Sequence, residues 1–307
     1  MNIEKDKVRG AFIGLATGDA LGTTLEFKTP GTFEPIRDMV GGGPFDLQAG
    51  EWTDDTSMAL CMADSLLECK GMNLADQLKR YTRWWVEGYN SVTGHCFDIG
   101  NTVRTALNNY GCNNTIYAGA DHPMSAGNGS IMRLAPVALY YRKWDIEEAL
   151  LQCEESSRTT HQAPECLIAC RLLGYLIIKA ILHEGDQVSL LQLAAKEWDR
   201  IDLDGIAPKI QEIAMGSYSE KVPPEIKGSG YVVQSLEAAL WAFVNTETFA
   251  DGALNAVNLG DDADTTGAVY GQLAGAYYGY QAIPSHWRDK LVWHKDLLKV
   301  ADQFYLK

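Results

Sequence analysis

Apolar residues recur every three or four positions along most of this chain, and runs that alternate with a period of two are few. That spacing predicts amphipathic helices and an all-α fold. Ile3, Val8, Ala11, Phe12, Leu15 and Ala16 mark a first helix over residues 3–16, and Gly18 and Gly22 beyond it signal close packing or a break. Met58 to Leu67 mark a second helix, and residues 72–110 read as two helical pieces. Residues 145–183 are strongly helical apart from a break at Arg158 to Pro164. Tyr231 opens a helix through Phe243, and Ala268 to Tyr280 forms a late one. Residues 28–51 read as a glycine-rich loop and residues 111–123 as an Asn/Gly-rich connection. Residues 185–230 carry the weakest pattern; in them Asp202-Leu203-Asp204-Gly205 matches only a fragment of a calcium loop. The tail, with Trp287, Trp293 and alternating charge, reads as a solvated helix. No long linker, repeat or low-complexity segment intervenes, so residues 1–307 are expected to form one compact domain.

Composition narrows the class. The chain is 46% hydrophobic over 307 residues, enough for a sizeable core. A net charge of −14 argues against non-specific binding to nucleic acid or anionic membrane, both of which need basic surface. The seven cysteines include no Cys-x-x-Cys pair, which signals neither a disulfide framework nor structural zinc. Cys166 and Cys170, one helical turn apart in an apolar run, read as buried thiols. A reduced, cytoplasmic protein follows, with no signal peptide at Met1 and no apolar run long enough to span a bilayer.

Two acid clusters change the picture. Gly260-Asp261-Asp262-Ala263-Asp264-Thr265-Thr266-Gly267-Ala268 crowds three carboxylates into four positions, and Trp52-Thr53-Asp54-Asp55-Thr56 repeats the grammar near the other end. Like charges this close repel, and a hard divalent cation is the simplest neutraliser. Each cluster also suits a helix start, with Thr53 as N-cap and acids on the positive end of the dipole. If the clusters meet, they hold a two-metal site. Glu26 is either a surface glutamate or a wall residue of a cleft. Asp98, beside Gly100, fits a turn or a site, and His95 a satisfied polar residue. Gly127-Asn128-Gly129-Ser130, opening an apolar helix with Met132 and Arg133, offers backbone N–H groups as an anion cradle.

Together these segments resemble the ADP-ribosylglycohydrolases. The resemblance is carried by Gly10 to Gly22 with Glu26, by Trp52 to Thr56, by Ala126 to Arg133, by Thr160-His161, and by Gly260 to Ala268, in family order over nearly the whole chain. It implies a helical fold around two Mg²⁺ or Mn²⁺ ions. By matched position Thr53, Asp54, Asp55, Asp262, Asp264 and Thr265 would ligate them, with Glu26 at the same site and Asp54 or Asp55 as general base. Gly127, Asn128, Gly129, Ser130 and Met132 match the loop for the diphosphate and distal ribose, His161 a nucleotide-side histidine, Asp98 and Gly100 a substrate-side segment, and Tyr231 an aromatic near the adenine. The implied substrate is an ADP-ribosylated protein, arginine-linked by preference, and the product ADP-ribose. Asp261 replaces the second glycine of many relatives. The alternatives are a two-metal pyrophosphatase or phosphatase and a catalytically silent ADP-ribose-binding protein.

Overall fold

From Gly10 to Gly22 every fourth residue of the first helix is a glycine, and Gly267, Gly271 and Gly275 repeat the spacing near the other end of the chain. The computed structural model describes residues 2–307 and shows why. Helix α1 (Ile3–Gly22) lies antiparallel to α13 (Ala263–Tyr278), with Gly10, Gly14, Gly18 and Gly22 opposite Gly275, Gly271, Gly267 and Ala263. A Cβ on Gly14 would stand 2.2 Å from the Gly271 carbonyl oxygen, and one on Gly18 only 1.9 Å from that of Gly267. The helix therefore does not break at Gly18; the glycines bring two backbones into contact. Gly14→Ala is expected to destabilise the fold by about 1–3 kcal/mol, because the obstructing atoms are backbone. It would be read as a lower denaturation midpoint at unchanged slope; a wild-type midpoint would contradict the packing.

Around this pair the chain adds α2 (Asp54–Cys69), α3 (Leu74–Glu87), α4 (Asn101–Asn113), α5 (Ala135–Tyr141), α6 (Ile146–Arg158) and α7 (Pro164–Leu182). Then follow α8 (Gln187–Lys196), α9 (Trp198–Ile201), α10 (Pro208–Ala214), α11 (Val232–Val244), α12 (Phe249–Val257), α14 (Ser285–Lys290) and α15 (His294–Tyr305). Among the described residues there is no sheet, only three isolated bridges, and no helix is long and apolar enough to cross a membrane. α7, buried along almost its whole length, packs on α13, α6 and α5. It buries Cys166 and Cys170 as free thiols.

Three local expectations change. α4 continues to Asn113, into the segment read as a connection. The tail is not solvated: Trp287, Leu297, Ala301 and Phe304 are buried, Phe304 packs on Phe12, and Arg9 pairs with Asp302 at 2.7 Å. Alternating charge masked the apolar stripe at 297, 301 and 304, whose helical spacing faces α1. The Asp202 carboxylate accepts the N–H groups of Ile206 and Ala207, which explains that fragment as a turn cap.

Candidate metal centre and ligand cleft

The antiparallel pairing places the C-terminus of α1 beside the N-terminus of α13, and the two acid clusters meet there. Asp19, one turn before the end of α1, is fully buried. Its carboxylate accepts the backbone N–H and hydroxyl of Thr53, both at 2.8 Å, and those of Thr56 at 2.9 and 2.6 Å. The Thr53 side chain therefore does not cap α2, as its position suggested; it is spent on Asp19. This bond network ties α2 to α1 and turns Asp54 and Asp55 inward.

Two groups of three carboxylates result. Oxygens of Asp19, Asp55 and Asp264 lie within 4.8 Å of one another, and so do oxygens of Glu26, Asp262 and Asp264. Asp264 belongs to both. Thr265 joins them by donating its hydroxyl to Asp55 at 3.3 Å, and the Ala263 N–H donates to Glu26 at 2.9 Å. Glu26 is thus a buried wall residue, while the neighbouring Phe27 ring is 65% exposed.

The electrostatics are those of a cation site. Burial first, then the neighbouring carboxylates, push Asp19 and Asp262 up to about 7 and Asp98 up to about 11. The same causes drive Glu26, Asp54 and Asp55 well above the carboxylate range. None of these acids pairs with a lysine or arginine among the described residues, and Asp55 Oδ1 and Asp264 Oδ2 are buried without any hydrogen-bond partner. Unpartnered, desolvated carboxylate oxygens at this density fit hard divalent cations.

Several of these acids line a cleft of about 400 Å³, within the range of small-molecule sites. Its lining joins Glu26, Asp54, Asp98, Gly100, Asp262, Asp264 and Thr265 to Gly127, Asn128, Gly129, Met132 and His161. Asp98 sits in a left-handed backbone conformation (φ 58°) in an irregular segment rather than in the expected turn, and it lines the cleft. Thr53, Asp55 and Ser130 are buried and are not among the residues that line the cleft. Tyr231 lines an adjoining cavity of about 620 Å³, where its hydroxyl donates to Glu165 at 2.6 Å.

The Gly127–Ser130 stretch is a turn, not the start of a helix, since α5 begins only at Ala135. It is pinned to the 230 region by Asn128 N–H to Gly230 O and by the Gly127–Tyr231 bridge. Asn128 Nδ2 donates to Asp262 at 3.1 Å and links cradle to acids. The His161 imidazole lies against the loop: a Cβ on Gly129 would meet its ring at 2.8 Å, so a larger residue there would have to displace the ring. Burial and the Arg133 charge hold His161 down at about 3, so the ring is neutral.

Sequence reasoning missed Asp19 as a site residue. The signal was present: an aspartate at helical spacing from Phe12, Leu15 and Ala16 falls on an apolar face, where a lone carboxylate needs partners.

Comparison with known proteins agrees with this geometry. The model of the ADP-ribosylglycohydrolase family matches residues 1–307. The chain is 42% identical to a protein of Serratia proteamaculans named ADP-ribosylarginine hydrolase Tri1, over 98% of this chain and 79% of that one. It is 34% identical to the ADP-ribosyl-[dinitrogen reductase] glycohydrolase of Rhodospirillum rubrum, over 93% and 90%. A solved structure titled ADP-ribosylglycohydrolase-related protein complex superposes with a TM-score of 0.88 at 41% identity, covering 100% of this chain and 99% of that one. With the helical fold, the twin carboxylate groups and a family match from end to end, the chain belongs to the ADP-ribosylglycohydrolases.

Proposed function

We propose that this glycohydrolase removes ADP-ribose from arginine side chains of modified proteins, with two Mg²⁺ or Mn²⁺ ions held by the two carboxylate groups that share Asp264. The whole chain is taken as one functional unit, acting in the cytoplasm. The observation that carries the reading is a single cleft lined both by Glu26, Asp262 and Asp264 of those groups and by an amide-bearing turn, Gly127–Gly129. An ADP-ribose spans such a cleft with its reacting ribose at the acids and its diphosphate at the turn. The 42% identical relative named ADP-ribosylarginine hydrolase favours arginine as the leaving side.

Asp19, Asp55, Asp264, Glu26 and Asp262 supply the carboxylates for the ions, with Thr53 and Thr265 adding hydroxyls. Bound, such ions supply Lewis-acid stabilisation of charge at the ribose. Asp54 faces the cleft, whereas Asp55 is wholly enclosed, so Asp54 is the better placed general base. It would take a proton from the water that attacks the anomeric carbon as the glycosidic C–N bond breaks through an oxocarbenium-like state. Asp98 and Gly100 border the leaving side chain. Gly127 to Ser130, Met132 and His161 fix the nucleotide half, and Tyr231 borders the adenine. Immobilising that half orients the anomeric carbon toward the water.

Arginine-linked and serine-linked ADP-ribosyl proteins offered side by side test the linkage. The expected result is a kcat/KM for the arginine-linked protein at least about tenfold higher, a discrimination that the placing of one charged group readily supplies. Equal rates, or a preference for serine, would contradict it.

A further inference from the structure

Four arginines are buried: Arg80, Arg133, Arg142 and Arg171. Three have carboxylate partners. Arg80 pairs with Glu68 and Asp76, Arg142 with Glu4, and Arg171 with Glu154. Arg133, the deepest of them at 0% exposure, pairs with no carboxylate among the described residues. Its Nη1 donates to the Gly129 carbonyl at 2.5 Å and its Nη2 to the Thr160 hydroxyl at 2.6 Å. The guanidinium lies over the Tyr81 ring, 4.9 Å from its centroid, and its Nε has no partner at all.

Neutral acceptors and a ring face orient a guanidinium but do not cancel its charge. An isolated buried charge is strongly unfavourable, and arginine cannot relieve it by losing its proton. A fold that keeps such a group holds it for a counter-ion that arrives from outside.

The position of Arg133 says where that ion sits. The guanidinium grips the underside of the turn that lines the cleft. Because a trans peptide is planar with C=O and N–H opposed, turning the Gly129 carbonyl toward Arg133 turns the Ser130 N–H away from it. Neither the Gly129 nor the Ser130 N–H has an acceptor among the described residues. His161, whose ring lies against Gly127 and Gly129, is neutral and carries no charge to share. The carboxylate that reaches the turn, Asp262 through Asn128, belongs to the candidate cation site.

We infer that Arg133 is the built-in counter-charge of the ligand's diphosphate, a positioning residue that acts from beneath through the Gly129–Ser130 peptide and does not touch the ligand. The inference rests on the reading of the cleft as an ADP-ribose site. It assigns the anion to the Gly129–Ser130 amides and makes nucleotide affinity depend on a charge that never contacts it.

Calorimetric titration of ADP and of adenosine into the wild-type protein, R133K and R133M tests this. In R133M, ADP affinity is expected to fall on the order of 10–100-fold, less than the loss of a directly hydrogen-bonded charge partner because Arg133 acts through a peptide, with adenosine within about twofold. R133K keeps the charge and is expected to retain most of the preference for ADP; in kinetics the loss falls on KM more than on kcat. Wild-type protein that binds ADP no better than adenosine, a folded R133M with unchanged ADP affinity, or an equal loss for both ligands would overturn the inference. If R133M does not fold, R133K decides: retained preference supports it and abolished preference overturns it. ADP binding needs no turnover, so failure of the hydrolase reading would leave this result separately legible.

Discussion

Asp264→Asn is expected to lower kcat/KM by about a thousandfold or more, the scale on which loss of a central electrostatic group acts. No other carboxylate belongs to both three-acid groups. It is 2% exposed, and its Oδ2 has no protein partner. Asn keeps the shape and removes one charge from each group at once, so both cation positions weaken together. Rates on an ADP-ribosylated protein, with bound metal measured by elemental analysis, check this. Near-normal turnover with full metal content in a folded D264N protein would show that the chemistry does not run through the paired groups. By contrast Asp261, exposed and in a left-handed conformation (φ 60°), is expected to tolerate replacement by glycine. The turn there is held by backbone bonds from Asp261 N–H to Lys28 O and from Asp262 N–H to Gly228 O.

Without a cation, stability is expected to fall as pH rises from about 4 to about 7, the reverse of the usual carboxylate effect. Asp19 and Asp262 are raised by burial from 3.8 to about 7. The folded protein therefore binds protons more tightly than the unfolded chain. What these groups contribute is present below 3.8 and is lost as pH climbs through the folded values. A shift of this size corresponds to a few kcal/mol per group. A divalent cation takes the place of the protons, so added Mg²⁺ or Mn²⁺ should raise the melting temperature more at pH 8 than at pH 5, with proton release on binding. Metal-free protein as stable at pH 8 as at pH 5, and indifferent to Mg²⁺, would contradict the description of the acid cluster.

The parts of this account that were legible in sequence are those written in local spacing. Helical periodicity gave the class, and the breaks at Arg158–Pro164 and before Val232 fell close to real boundaries. The clusters at 53–55 and 262–265 announced themselves by charge density. What was not legible depends on partners distant in the chain. The four-residue glycine rhythm of α1 has a meaning only opposite the same rhythm in α13. Thr53 looked like a cap because its competitor, Asp19, lies 34 residues away. Arg133 stood in the sequence only as a neighbour of the anion cradle; that it has no carboxylate partner, unlike Arg80, Arg142 and Arg171, depends on the fold. The tail was misjudged because its charges were easier to see than the stripe of Leu297, Ala301 and Phe304.

The most direct test of the central claim is to incubate the protein with arginine-ADP-ribosylated protein, with and without Mg²⁺ or Mn²⁺, and to identify the released species by mass spectrometry. The account expects intact ADP-ribose, released only when the cation is present, with the arginine side chain restored. Release of AMP, with phosphoribose left on the protein, would mean that the carboxylates act on the diphosphate and would contradict the glycosidic mechanism.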